Sequence, residues 1–259
     1  MLVGDFMLGG IYGDKVGSIY EFAQLKEIKS INPDKLITSE SFYSDDTIEI
    51  IAVLDAIINK KHFDENLREY ILKYEDYRPN YKPYFKTSFS PETIKWAKGI
   101  GKNNSIGNGA MMRISPIGFL FDSEQDVEEN SRLATIPTHN SKEAIECATI
   151  IAKLIYYFRN GISKYDAYRL LSLNPKYIPF TKFNMTCYET LNNCLYAIYI
   201  AKSFEEALRV TLLMGGDTDT NCCIVGSVCE ALYGMNETQK AESYANLPNE
   251  FVKVLKRVY

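Results

Sequence analysis

A chain of 259 residues, 46% hydrophobic and 24% charged, carries enough apolar material for one large domain core. Its net charge of -4, with no stripe of Lys and Arg, excludes a nucleic-acid binder working by bulk electrostatics, though a local basic pocket for a phosphate is still allowed. No apolar run approaches the roughly 18 residues of a membrane span, and the opening MLVGDFMLGGIYGDK has no basic n-region, so a soluble, cytoplasmic protein is expected.

Taken in chain order, the first element is glycine-marked. Gly9, Gly10, Gly13 and Gly17 recur at helical spacing. Each costs roughly 1 kcal/mol relative to Ala in a helix interior, and close approach of another backbone is the natural compensation. Glu21 follows just after this helix. Ser44 caps a helix running to about Lys60, with Ile48, Ile51, Ala52 and Asp55 on related turns. FDENLREYILKYEDY repeats the pattern over 63–77. A Pro-rich stretch at 79–91 and a glycine-containing break at 99–109 separate this half from SKEAIECATIIAKLIYYFRNG, which has Ser141 as N-cap and Gly161 just past its end. Further helices are predicted over 186–200, 204–213, 220–233 and 237–245, with a second glycine break at 215–216. Strand-type alternation is hard to find. The expected fold is all-α, a single compact multi-helix domain over 1–259, with helices in stacked layers.

The six cysteines lie mostly in apolar stretches and form no C-x-x-C pair, and there are only two histidines, so a zinc cluster is not expected. Buried thiols in a reducing compartment fit the pattern.

Chemistry is concentrated at a few places. Ser44-Asp45-Asp46-Thr47 opens one helix, and on its own it reads as ordinary capping of free N–H groups. Asp217-Thr218-Asp219-Thr220 repeats the hydroxyl–acid pattern at another helix start, and two caps do not need four carboxylates. Hard divalent cations take oxygen ligands, and the four aspartates with Ser44 and Thr220 suffice for two neighbouring metals if the clusters meet. The second stretch is not an EF-hand, because the spaced ligands, central Gly and bidentate Glu of such a loop are missing. Ser105, Gly107, Asn108 and Gly109 form a loop whose N–H groups could converge on a phosphate, with Arg113 four residues on, although an ordinary loop is the default. His139 precedes the Ser141 cap.

The ordered motifs G-D-x-x-G-x-x-x-E, S-D-D-T, G-N-G-A-M-x-R, T-H-N and G-G-D-T-D-T-N run from Gly13 to Asn221, about four-fifths of the chain. In that order they resemble the ADP-ribosylglycohydrolase family. The resemblance implies an all-α domain with two Mg²⁺ or Mn²⁺ ions, Mg²⁺ first, at the base of an ADP-ribose cleft. By motif, Ser44, Asp45, Asp46, Asp217, Asp219 and Thr220 look like the metal ligands. Glu21 occupies the position of the family's flap glutamate. Glu21, Asp45 and Asp46 are then the catalytic carboxylates, with Glu21 and Asp46 the candidates for protonating the leaving group. Ser105, Gly107, Asn108 and Gly109 match the loop that holds the diphosphate and distal ribose, and His139 matches a histidine with a binding role. Ser44 stands where many members have threonine, and Ile106 where some place an aromatic. The implied activity is metal-dependent cleavage at C1″ of ADP-ribose, from modified protein side chains (arginine or serine) or a small ADP-ribosyl conjugate. A monomer is expected. A non-catalytic ADP-ribose-binding module and a di-metal nucleotide phosphoesterase are the alternatives.

Overall fold

A computed structural model describes residues 6–21, 35–79, 87–178 and 183–258. Helix follows helix through them: α1 (Gly9–Ser18), α2 (Asp45–Asn59), α3 (Phe63–Lys73), α4 (Pro91–Ala97), α5 (Gly109–Met112), α6 (Ser115–Leu120), α7 (Glu124–Thr135), α8 (Lys142–Arg159), α9 (Lys164–Leu170), α10 (Cys187–Ile200), α11 (Phe204–Met214), α12 (Thr218–Tyr233), α13 (Glu237–Tyr244) and α14 (Asn249–Leu255). Among the described residues the β-type pairings are isolated bridges, Asn104 with His139 and Gly107 with Thr186. The all-α expectation holds. No helix among these residues is long and apolar enough to cross a membrane.

Side-chain capping explains half of the helix starts among the described residues. Ser44, Ser90, Ser123, Ser141, Ser163 and Ser203 each accept an N–H from the first turn of their own helix, and Asn236 forms a reciprocal capping box with Gln239. At the other ends, Lys60 turns left-handed at φ 54° to close α2, and Gly161 at φ 77° closes α8. The helix predicted over 63–77 stops at Lys73. That predicted over 220–233 begins earlier, at Thr218. Part of the Pro-rich stretch, 80–86, lies outside the described residues.

Several helices have too little apolar patterning to be read from sequence. In α7 the buried positions are Val127, Ser131, Ala134 and Thr135. They keep the i, i+4, i+7, i+8 spacing of a packed face, but two of the four carry hydroxyls, which hides the stripe. α4, α5, α6, α9 and α14 are each seven residues or fewer, shorter than a periodic pattern needs to declare itself.

α12 is buried on all sides from Thr218 to Glu230, and α1 lies along it. A Cβ on Gly9, Gly13 or Gly17 would overlap the backbone of Gly226, Cys222 or Thr218 respectively. The glycine spacing is thus a contact surface between two helix backbones. Charged side chains then fix the helix ends. Glu230 of α12 accepts N–H groups of Leu8 (3.2 Å) and Gly9 (2.8 Å) at the start of α1. Lys15 donates to the carbonyls of Glu242, Ser243 and Ala245 at the end of α13, at 2.9, 2.7 and 2.5 Å. Asp14 does the same for α2: its Oδ2 accepts from Ser44 N–H (2.8 Å), Thr47 N–H (3.2 Å) and the Thr47 hydroxyl (2.5 Å). The six cysteines are free and buried, as expected.

Candidate active site

Because α1 rides on α12 and its Asp14 caps α2, the N-terminus of α2 and that of α12 are brought to one point. Asp46, in the first turn of α2, and Asp219, in the first turn of α12, meet Asp14 there: ligand oxygens of the three lie within 4.8 Å of one another. A second triad, Glu21, Asp217 and Asp219, satisfies the same limit, so Asp219 belongs to both. The two hydroxyl–acid clusters are therefore neighbours in space, although Asp46 and Thr220, which touch, are 174 positions apart in the chain.

The supporting contacts orient these carboxylates individually. Thr220 Oγ1 donates to Asp46 Oδ1 at 3.2 Å, Asn108 Nδ2 donates to Asp217 Oδ2 at 2.9 Å, and Ser44 Oγ accepts the Asp46 N–H at 3.2 Å. Asp45 points differently: its Oδ1 accepts from the Ser88 hydroxyl at 2.8 Å, while its N–H donates to Ser88 Oγ. Three buried carboxylate oxygens have no protein partner among the described residues, namely Asp14 Oδ1, Asp46 Oδ2 and Asp219 Oδ1. These are one from each member of the first triad. A buried, unpaired carboxylate oxygen is expensive, and either a cation or bound protons would satisfy the three. The donor set is oxygen only, which suits a hard divalent ion. The thiols of Cys222 and Cys223 are pushed up by burial on the same helix, which keeps them protonated.

Crowding shows in the protonation equilibria. Burial, then Asp219, raises the Asp14 carboxyl to about 6 against the hydrogen bonds from Ser44 and Thr47. Asp46 and Asp217 are held well above the usual carboxylate range by burial and then by Asp219, and Asp45 by burial and then by Glu49.

The cleft above the carboxylates, about 350 Å³, is walled by Phe89, Phe183 and Met185 and also reached by Glu21, Ser105, Gly107, Gly109 and His139. Gly107 and Asn108 do not aim N–H groups at a common anion, as the sequence allowed. The Gly107 N–H donates to Ser105 Oγ (3.1 Å) and the Asn108 N–H to the Met185 carbonyl (2.7 Å), an arrangement that ties this loop to the segment before α10. Asn108 acts instead through its side chain on Asp217. Arg113 is also committed elsewhere: it is 1% exposed and bonds Glu49 (2.6 Å), the Ala134 carbonyl (3.0 Å) and Thr138 Oγ1 (2.7 Å). Asp14 is the site residue that residue patterning alone left unassigned. Its signal was an acid directly after Gly13 inside a glycine-spaced helix.

A family model described as ADP-ribosylglycohydrolase matches residues 3–257. The chain belongs to the ADP-ribosylglycohydrolase family. Membership makes it an enzyme, a hydrolase acting on the glycosyl bond of ADP-ribosyl groups. Similar proteins include mouse ADP-ribosylhydrolase ARH3, 22% identical over 312 residues, covering 91% of this chain and 84% of that protein. ADP-ribosylarginine hydrolase Tri1 of Pseudomonas putida is 23% identical over 261 residues, covering 89% of this chain and 70% of that one. A solved structure titled ADP-ribosylglycohydrolase-related protein complex superimposes with a TM-score of 0.70 over 98% of both chains at 20% identity, a likeness of fold. In this ADP-ribosylglycohydrolase the residues matched by the family model, 3–257, include the carboxylate cluster and the cleft lining described above.

Proposed function

We propose that this ADP-ribosylglycohydrolase is a divalent-cation-dependent enzyme that breaks the bond at C1″ of ADP-ribose. It would release ADP-ribose from a modified arginine or serine side chain or from a related ADP-ribosyl conjugate. The observation that carries the proposal is the set of three buried, unpartnered carboxylate oxygens on Asp14, Asp46 and Asp219, beside a second acidic triad sharing Asp219. Two cations, Mg²⁺ first and Mn²⁺ second, suit the two triads, with Ser44, Asp45 and Thr220 as further oxygen donors or as supports for the ligands. When bound, such ions would lower the pKa of a water and polarise ribose hydroxyls.

The chain's own residues supply the rest. Asn108 and Thr220 hold Asp217 and Asp46 in orientation through their hydrogen bonds. Glu21 and Asp46 are the two candidate carboxyls for proton exchange with the leaving group, one of them serving as the acid, since cleavage at C1″ builds positive character on the sugar and needs a protonated leaving atom. Phe89, Phe183 and Met185 offer apolar surface to the adenine end and exclude water from the cleft. Arginine is proposed as a leaving group because a similar protein is named an ADP-ribosylarginine hydrolase, and serine on the family resemblance alone.

The test is a panel of arginine-, serine- and nucleic-acid-linked ADP-ribose substrates, each with Mg²⁺, Mn²⁺ or chelator, and with products identified. Free ADP-ribose that appears only with a cation supports the proposal. AMP or phosphate as product, or turnover unaffected by chelator, overturns it.

A further inference from the structure

His139 lies at the cleft wall, and the groups behind it decide which of its nitrogens carries a proton. Thr138 Oγ1 lies 2.6 Å from His139 Nδ1. The same hydroxyl oxygen accepts from Arg113 at 2.7 Å, and Arg113 is held by Glu49 at 2.6 Å and by the Ala134 carbonyl at 3.0 Å. The side chains of Glu49, Arg113, Thr138 and His139 are all buried. They come from separate parts of the fold: α2 (Glu49), the end of α5 (Arg113), and the turn after α7 (Thr138 and His139).

Proton inventory fixes the tautomer. A guanidinium only donates, so Thr138 Oγ1 is the acceptor towards Arg113. The threonine's single hydroxyl hydrogen then needs an acceptor, and among the described residues His139 Nδ1 is the one within reach. If Nδ1 carried a hydrogen instead, two donors would face one oxygen and the buried hydroxyl would be left unpaired, at a loss of roughly 1–3 kcal/mol. A doubly protonated ring would add a positive charge beside Arg113. Burial and that guanidinium together take the ring down to about 3. His139 is therefore neutral, with its hydrogen on Nε2.

Nε2 faces the cleft. A Cβ on Gly109 would sit 3.3 Å from it and one on Gly107 3.9 Å, so the two glycines leave that edge of the ring open, and no acceptor among the described residues takes the Nε2 hydrogen. We propose that Glu49, Arg113 and Thr138 are positioning residues that lock His139 as an Nε2–H donor to an oxygen of the bound ligand, a phosphate or ribose oxygen. On this view His139 neither takes nor gives a proton during turnover. The choice of ligand rests on the proposed function above; the tautomer does not.

The test uses long-range proton–nitrogen correlation spectra of ¹⁵N-labelled full-length protein. With only two histidines in the chain, a His62→Gln variant assigns both. His139 is expected to show Nδ1 unprotonated and Nε2 protonated at every pH from about 5 to 8, while an exposed histidine titrates in that range. An Nδ1–H form, or titration of His139 within it, overturns the lock. Adding ADP-ribose should shift the Nε2–H resonance. If calorimetry shows binding and that resonance stays still, the donor role falls. If nothing binds, the functional proposal falls, and the tautomer is still decided by the spectrum of the free protein. Thr138→Val should produce mixed tautomers and weaken ADP-ribose binding about 10-fold, with Thr138→Ser restoring both. Weakened binding in Thr138→Val with the tautomer unchanged would assign Thr138 to packing alone.

Discussion

Asp14 does two jobs with two oxygens: Oδ2 caps α2, while Oδ1 faces Asp46 and Asp219 without a partner. Substituting Asp14→Asn separates them. The amide oxygen can still accept from Ser44 and Thr47, and the charge repulsion with Asp219 is gone. Urea unfolding in chelator should therefore show stability unchanged or higher, whereas the stabilisation by Mg²⁺ should be lost. An Asp14→Asn variant that responds to Mg²⁺ as wild type does would remove Asp14 from the cation site. Asp219→Asn is the sharper change, since Asp219 belongs to both triads. Hydrolysis in saturating Mg²⁺ should fall more than about 100-fold, beyond the 10–100-fold typical of a residue that merely supports a ligand. Much of this site was legible in the sequence. Asp46, Asp217 and Asp219 stood out because hydroxyl–acid pairs at two helix starts exceed what capping needs. Asp45 stood out equally, yet it turns to Ser88, a partner no local pattern reveals.

At the scale of elements, the α1–α12 contact is what sets the site. Its close approach requires hydrogen in place of a side chain at Gly13, where a Cβ would overlap the Cys222 carbonyl. Gly13→Ala should destabilise by about 3 kcal/mol, because the neighbour is backbone and has no rotamer to yield. The measurement is the midpoint of urea unfolding. Asp14 is the next residue on α1, so the same variant should bind Mg²⁺ more weakly even where it is fully folded. A loss of stability with undiminished cation affinity would show that α1 does not set the site's geometry. The helices that sequence patterning misses are informative here too. α5 is a single turn and α7 has a hydroxyl-bearing buried face, and yet they and the turn after α7 carry Arg113, Thr138 and His139. α7 has the Ser123 cap and α5 has none, so tertiary contacts, which periodicity does not measure, must hold the short helix.

For the whole molecule, the acidic cluster couples stability to pH and to cations. The Asp14 carboxyl stands at about 6 in the folded chain against an ordinary 3.8. Asp45, Asp46 and Asp217 are raised as well. A carboxyl raised on folding binds more protons in the folded state. Its favourable contribution is complete below about pH 4 and is lost as the pH rises through about 6. A bound cation reverses the dependence, because it takes the deprotonated oxygens and displaces their protons. Thermal unfolding in chelator and in Mg²⁺ should therefore give curves that separate as pH rises from about 5 to 8. The gap should reach about 2.7 kcal/mol for each bound cation when free Mg²⁺ is a hundred times its dissociation constant. Parallel curves would mean that the cluster does not bind the ion.

The sequence by itself determined the helical class, most helix starts, and the pair of acid clusters, because caps, glycine spacing and charge next to helix N-termini act over a few residues and leave local marks. It also carried the ordered motifs that identify the family. Tertiary structure decided the membership of the site. That Asp14 joins Asp46 and Asp219, that Asp45 turns to Ser88, that the Gly107–Asn108 amides are spent on Ser105 and Met185, and that Arg113 holds the partner of His139 all depend on contacts between residues far apart in the chain. Such contacts follow from how closely two helix backbones can approach and from which buried polar atoms are left to be satisfied, and neither quantity is fixed until the chain has packed.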